Sequence, residues 1–231
     1  VLRSDNFVPQ EALFTPPTQE GTRMLPGANG GSAWSPVAYS HRTGFAYVSG
    51  IHQPMVYRRA FQPREKGRLW LGGSFRHIPE EEQWGVLSAI DVSTGEIAWQ
   101  RQVPAPMIGG TLVTAGDVLF VGQSTGTFDA FDARTGELLW QYRTGAGVNG
   151  SPITYMIDGV QYVAIAAGGN YLLDTPRGDD LIVFALGSQR PAMPLANYPE
   201  PRYARTGPIQ YNAVRQVPAS QVPNPDSAPL Q

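Results

Sequence analysis

Ala89-Ile90-Asp91-Val92-Ser93-Thr94-Gly95-Glu96-Ile97-Ala98-Trp99-Gln100 returns 41 residues later as Ala130-Phe131-Asp132-Ala133-Arg134-Thr135-Gly136-Glu137-Leu138-Leu139-Trp140-Gln141. Each copy reads as the end of one strand, a turn, and the start of the next. Asp and Thr can hydrogen-bond the turn's own backbone, Gly supplies a positive φ, and the Trp that follows is large and flat enough to wedge between sheets. A unit of about 40 residues with several short strands is the repeat length of propeller blades, four-stranded sheets that bury their faces only against their neighbours. A weaker copy, Ala38-Tyr39-Ser40-His41-Arg42-Thr43-Gly44-Phe45-Ala46-Tyr47-Val48, keeps a strand, an Arg-Thr-Gly turn and a strand but has no Trp. On this count the chain holds roughly three blades, fewer than the roughly 4–8 that close a propeller, so another chain or segment is expected to complete the ring.

Working outward, 26 Gly and 21 Pro punctuate short apolar runs, as in an all-β chain rich in turns. Strands are expected at Val86–Asp91, Ile97–Val103, Thr111–Thr114, Val118–Gly122, Phe128–Asp132, Leu138–Arg143, Pro152–Ile157, Val160–Ala166 and Leu181–Leu186. Asp158-Gly159, set between two apolar runs, predicts a two-residue type I′ hairpin. Residues 51–83 read as a long irregular insertion whose charges, among them Arg58, Arg59, Arg64, Lys66 and Arg68, are solvated. Residues 1–188 are assigned to blades, and the proline-rich stretch 189–231 to an extended tail.

The formal net charge is −2 with no basic run, so an electrostatic case for nucleic acid or an anionic membrane surface is missing, and a small neutral partner fits better. With no cysteine the chain has neither disulfides nor thiolate metal sites, and His41, His52 and His77 lack a metal-ligand spacing. Any export signal is expected outside this stretch.

At the repeat, the chain resembles the pyrroloquinoline quinone (PQQ)-dependent dehydrogenases, whose tryptophan docking motif it matches. Phe14-Thr15-Pro16-Pro17, Gly21-Thr22 and Pro26-Gly27 look like a segment of the family's glucose dehydrogenase branch. Gly30-Gly31-Ser32-Ala33-Trp34-Ser35-Pro36 looks like Gly-Gly-x-Asn-Trp-x-Pro of the alcohol dehydrogenase branch. Pro106-Met107-Ile108-Gly109-Gly110, Thr114-Ala115-Gly116 and Tyr162-Val163-Ala164-Ile165-Ala166-Ala167-Gly168-Gly169 extend the likeness.

The resemblance implies the C-terminal blades of an eight-bladed propeller that holds PQQ and Ca²⁺ or a lanthanide. It implies oxidation of an alcohol or sugar hydroxyl: a carboxylate base takes the proton while hydride passes to the metal-polarised quinone. The acceptor would be a cytochrome c or a quinone rather than NAD, and the location periplasmic. The metal ligands and the base precede this segment in the family, so no catalytic or metal-binding residue is expected here. Seven residues are expected at the cofactor: Ala33 where the family has Asn, Trp34, Met107 and Ile108 near a missing family Trp, and Gly168, Gly169 and Asn170, the last where some members carry Trp.

Other readings are weaker. Gly145-Ala146-Gly147-Val148-Asn149-Gly150 spells Gly-x-Gly-x-x-Gly, but Ser-Pro and a strand follow instead of a helix that could hold a pyrophosphate. Asn149-Gly150-Ser151 is formally a glycosylation sequon that reads as a turn. Asp174, Asp179 and Asp180 read as solvated carboxylates. The functional alternative is a cofactor-free propeller of the same repeats acting as a binding or assembly scaffold.

Overall fold

In a computed structural model, which describes residues 15–187 except 33, 171, 172 and 174, the chain is all-β. The strands are β1 (Thr22–Met24), β2 (Ala38–Ser40), β3 (Phe45–His52), β4 (Met55–Arg59), β5 (Gly73–His77), β6 (Trp84–Asp91), β7 (Ile97–Val103), β8 (Thr111–Val113), β9 (Val118–Gln123), β10 (Thr127–Asp132), β11 (Leu138–Arg143), β12 (Ile153–Ile157), β13 (Val160–Ala167) and β14 (Asp180–Ala185). All nine strands expected from the sequence are present, with ends within two residues. Blade 1 is β2-β3-β6-β7, blade 2 is β11-β10-β9-β8 and blade 3 is the three-stranded β12-β13-β14. Asp158 (φ 50) and Gly159 (φ 77) make the expected hairpin, with Ile157 opposite Val160. The weaker copy falls out of phase with the repeat: its turn joins β2 to β3, the first two strands of blade 1, whereas the repeat turns join β6 to β7 and β10 to β11.

The two repeat copies fold alike. Ala89 lies opposite Trp99 and Ala130 opposite Trp140, each followed by the same register shift, and the turns close through Gly95 N–H to Asp91 O and Gly136 N–H to Asp132 O. Their tryptophans do not end alike. Trp99 is 3% exposed within the core shared by blades 1 and 2, with Tyr47, Leu87, Leu119, Val121 and Phe131. Its indole N–H donates to Ala133 O at 3.0 Å, and a Cβ built at Gly136 would lie 2.6 Å from its ring. Tyr47 Oη donates to the same carbonyl at 3.0 Å, and the Arg101 guanidinium, over the Phe131 ring, donates to Gly136 O.

Trp140 was expected in the same buried role, but it is 40% exposed and meets Phe184 and Phe128 edge-on. The reason lies in blade 3. After β14 the chain turns through Leu186-Gly187 without the Asp and Thr that shape the seat used by Trp99. Blades 2 and 3 are joined instead by Phe128, Val148, Val163 and Ile165, packed with Phe120, Ile182 and Phe184.

The stretch 51–83 is not wholly irregular. It carries β4 and β5, which form a three-stranded sheet with β1, Thr22 to Met24 lying opposite Tyr57 to Met55. β3 and β6 pair directly across its base from Phe45↔Asp91 to His52↔Trp84, so the excursion lengthens one strand connection without breaking the blade. The expected tail, 189–231, lies outside the described residues.

Candidate functional site

In an antiparallel blade the loop entering the first strand and the loop joining the second to the third fall at the same end. Here they knit into one rim. Ile51 N–H donates to Gly31 O at 2.7 Å, and Thr111 N–H to Pro36 O at 3.1 Å, which tie the loops entering β2 and β8 to blade 1. Ser124 Oγ lies within hydrogen-bond reach of Pro106 O, at 2.5 Å, and of Asn149 Oδ1, at 2.9 Å, so one hydroxyl sits where three loops of blade 2 and its neighbours meet. Gly169 N–H donates to Gly147 O, and Gly147 N–H to Pro176 O, both at 2.8 Å. Glycine is needed where these backbones crowd: a Cβ at Gly109 would sit 3.2–3.3 Å from the carbonyl oxygens of Gly122, Val148 and Gly150. The segments Gly30–Pro36, Pro106–Gly110 and Ala164–Gly169 are thus brought into one rim.

The individual residues divide. Trp34 is 82% exposed and presents a bare indole face. Ile108 is half-buried in the rim, and Gly168 is exposed, with only Gly178 O within 4 Å of a built Cβ. Met107 is turned away: at 1% exposure it belongs to the core between blades 1 and 2, so its side chain cannot touch a ligand in this arrangement. Gly169 (φ 73) serves the loop itself, since a Cβ there would run into Pro176. Asn170 also holds its loop, Oδ1 accepting from Leu173 N–H at 3.3 Å and its own N–H donating to Thr175 Oγ1 at 2.6 Å. Ala33 and Asp174 lie outside the described residues.

Two rim residues escaped the sequence reading. Asn149, read only as part of a sequon and a glycine pattern, holds Ser124 through Oδ1, while its buried Nδ2 has no acceptor among the described residues. The buried hydroxyl of Thr125 is likewise unpartnered there. The Gly-x-Gly-x-x-Gly stretch leads through Pro152 into β12, so it offers no helix N-terminus.

Electrostatically the rim is quiet. His52, at the end of β3, stacks on Trp84 with centroids 4.3 Å apart. Burial, reinforced by Arg23, lowers its pKa against the opposing pull of Glu81. Arg23 meets Glu81 through Nε at 2.7 Å and Nη2 at 2.6 Å, and this hydrogen-bonded pair lowers the Glu81 pKa. Among the described residues no three His, Cys, Asp or Glu side chains converge on a metal position. The rim can stack, approach closely with bare backbone and donate hydrogen bonds, and among the described residues it holds no arranged acid and base.

The blades and their knit rim define a segment of a β-propeller. Residues 74–163 match the family described as "Glucose/ethanol/alcohol dehydrogenase, beta-propeller domain". The quinoprotein alcohol dehydrogenase PedH of Pseudomonas putida is 39% identical over 146 residues, 63% of this chain and 24% of that protein. The 1-butanol dehydrogenase (quinone) of Thauera butanivorans is 42% identical over 152 residues, 64% of this chain and 24% of that protein. Among solved structures, quinohemoprotein alcohol dehydrogenase from Comamonas testosteroni superposes with a TM-score of 0.66 at 30% identity, covering 74% of this chain and 28% of that one. A europium-containing methanol dehydrogenase gives 0.65 at 27% identity, covering 73% and 36%. Over residues 74–163 the chain thus carries the propeller domain of that family, and it is similar to the quinoprotein alcohol dehydrogenases. It spans about a quarter of the length of the curated relatives it matches.

Proposed function

We propose that this chain supplies the C-terminal blades of a PQQ- and metal-dependent dehydrogenase that oxidises an alcohol or sugar hydroxyl and passes electrons to a cytochrome c or a quinone in the periplasm. The observation that carries this reading is the rim, because a scaffold built on the repeat alone needs none of its glycine-crowded loops. Its residues suit a flat, polar quinone. Trp34 offers a stacking face, Gly168 an open stretch of backbone, Ile108 an apolar wall, and the orphan donors of Asn149 and Thr125 can meet oxygen acceptors. When bound, PQQ would supply the hydride-accepting chemistry; this chain's residues would bind and orient it and exclude water. The proton-accepting carboxylate and the ligands for Ca²⁺ or a lanthanide are assigned to the remainder of the protein.

The need for a completing segment is supported by two bare surfaces. The outer face of blade 3 shows Ile153, Tyr155, Ile157, Leu181 and Val183, all exposed. A Cβ at Gly95, in the blade 1 turn equivalent to the Trp99 seat, would meet nothing within 4 Å. Such faces are stable only when another blade packs on them, and an eight-bladed closure would cover both.

The test is reconstitution of the assembled protein with PQQ and Ca²⁺ or a lanthanide, followed by cofactor absorbance and dye reduction over a panel of alcohols and sugars. Trp34→Ala and Gly168→Val should weaken PQQ binding while leaving the melting temperature unchanged, since neither site is packed. Gly169→Val should cost stability as well. No cofactor uptake by the wild-type assembly would turn the assignment to the scaffold.

A further inference from the structure

The hairpin β4–β5 is chemically unlike the blades. Residues 57–77 carry Arg58, Arg59, Arg64, Lys66, Arg68 and Arg76 against the single Glu65, a net +5 in a chain whose formal net charge is −2. The rest of the chain is therefore acidic, and the overall charge, which offers no case for an anionic membrane surface, conceals this local excess of cations. Every residue from Arg58 to Leu71 is exposed, and the same tip holds Phe61 at 96%, Leu69 at 78%, Leu71 at 54% and Trp70 at 52% exposure. The tip is nevertheless ordered by its own bonds: Trp70 Nε1 donates to Gln62 O at 2.7 Å, and Gln62 Oε1 accepts from Leu71 N–H at 3.3 Å and Gly72 N–H at 3.2 Å.

We infer that this tip is a docking surface for a bilayer containing anionic phospholipid. Aromatic and leucine side chains displayed on a small polar-backed element, ringed by Arg and Lys, are what an interface of apolar chains beneath negative headgroups selects. The contrast with the blade interface argues against burial under another blade. There the buried cation Arg101 is matched to the Gly136 carbonyl and the Phe131 ring. In the hairpin tip, among the described residues, only Arg68 has an acidic partner, Glu65 at 3.1 Å, so covering the others would strip their solvent without compensation. Because the hairpin rises from the end of β3, beside Gly31, docking would turn the rim toward the lipid. This inference does not depend on the cofactor assignment.

The test uses the assembled protein and sedimentation with vesicles of phosphatidylcholine alone or of phosphatidylcholine with phosphatidylglycerol. Binding is expected only to the second, with release as salt rises. Arg64→Gln and Lys66→Gln should each weaken it by about fivefold, the effect of roughly one surface charge, and Phe61→Ser should weaken it without altering the salt dependence. Because the chain has no cysteine, a dye on the thiol introduced by Phe61→Cys reports the tip alone and should shift to the blue on the anionic vesicles. The inference is overturned by absence of binding to anionic vesicles, by binding that these variants leave unchanged, or by an introduced thiol that the completing segment shields from labelling. Loss of electron transfer to an acidic protein acceptor in the charge variants, with vesicles ignored, would overturn it in favour of protein docking.

Discussion

Trp99 and Trp140 occupy the same place in two copies of one twelve-residue unit, opposite the same kind of alanine and beyond the same bulge, yet one is buried at 3% exposure and the other stands 40% exposed. The unit fixes where each indole points; the next blade decides what it meets. Blade 2 offers Trp99 a glycine turn with the Ala133 carbonyl aimed at it, whereas blade 3 offers Trp140 a Phe184 ring edge. A docking residue is therefore only half encoded by its own repeat, and the other half lies in the turn about 40 residues downstream.

The comparison can be broken most directly by truncation. Trp99→Ala should cost about 3–5 kcal/mol in denaturant melts of the assembled protein, as expected for a fully buried aromatic. Trp140→Ala should cost clearly less, about 1–2 kcal/mol, and equal losses would refute the seat argument. The seat itself is probed by one substitution made twice. Gly95→Ala and Gly136→Ala both place a Cβ at positive φ, for roughly 1–2 kcal/mol. Gly136→Ala also drives it into the Trp99 ring, for roughly 1–3 kcal/mol more, and Gly95→Ala should match that loss only where the completing blade seats a ring on its turn. Tyr47→Phe, which removes one of the two donors to Ala133 O, should cost about 1 kcal/mol and leave the Trp99 fluorescence environment in place.

The smallest effect is set by pH. His52 has its pKa lowered on folding, so the unfolded chain binds the proton more readily and stability must fall as pH drops below about 6.5. Asp117 is lowered by its bonds to Arg42 and Arg134, and Glu81 by Arg23, so a second loss should follow below about pH 4. Melts of His52→Phe should lack the first step and keep the second.

What the sequence made legible was whatever one segment determines alone. The nine strands announced themselves by apolar runs between turn residues, and Asp158-Gly159 by its tolerance of positive φ. β1, β4 and β5 were missed because Thr22-Arg23-Met24 and the Arg- and Gly-bearing flanks of the insertion carry no apolar alternation; they pair because the loops bring them side by side. The same limit applies to the rim. Its gathering of three segments was readable, but sequence could not tell that Met107 turns inward while Ile108 stays at the wall. Nor could it show that Asn170 braces its own loop while Asn149 bridges to Ser124.

The Ala133 carbonyl receives both Tyr47 and Trp99, one donor from each of two strands of the neighbouring blade. A contact that ends on main chain asks of residue 133 only a side chain small enough for its buried place between the blades. Tandem duplication of such a unit yields neighbours that already recognise each other, provided the glycine of the turn is copied too. The ring can then grow or diverge blade by blade, with each new interface inherited before it is refined.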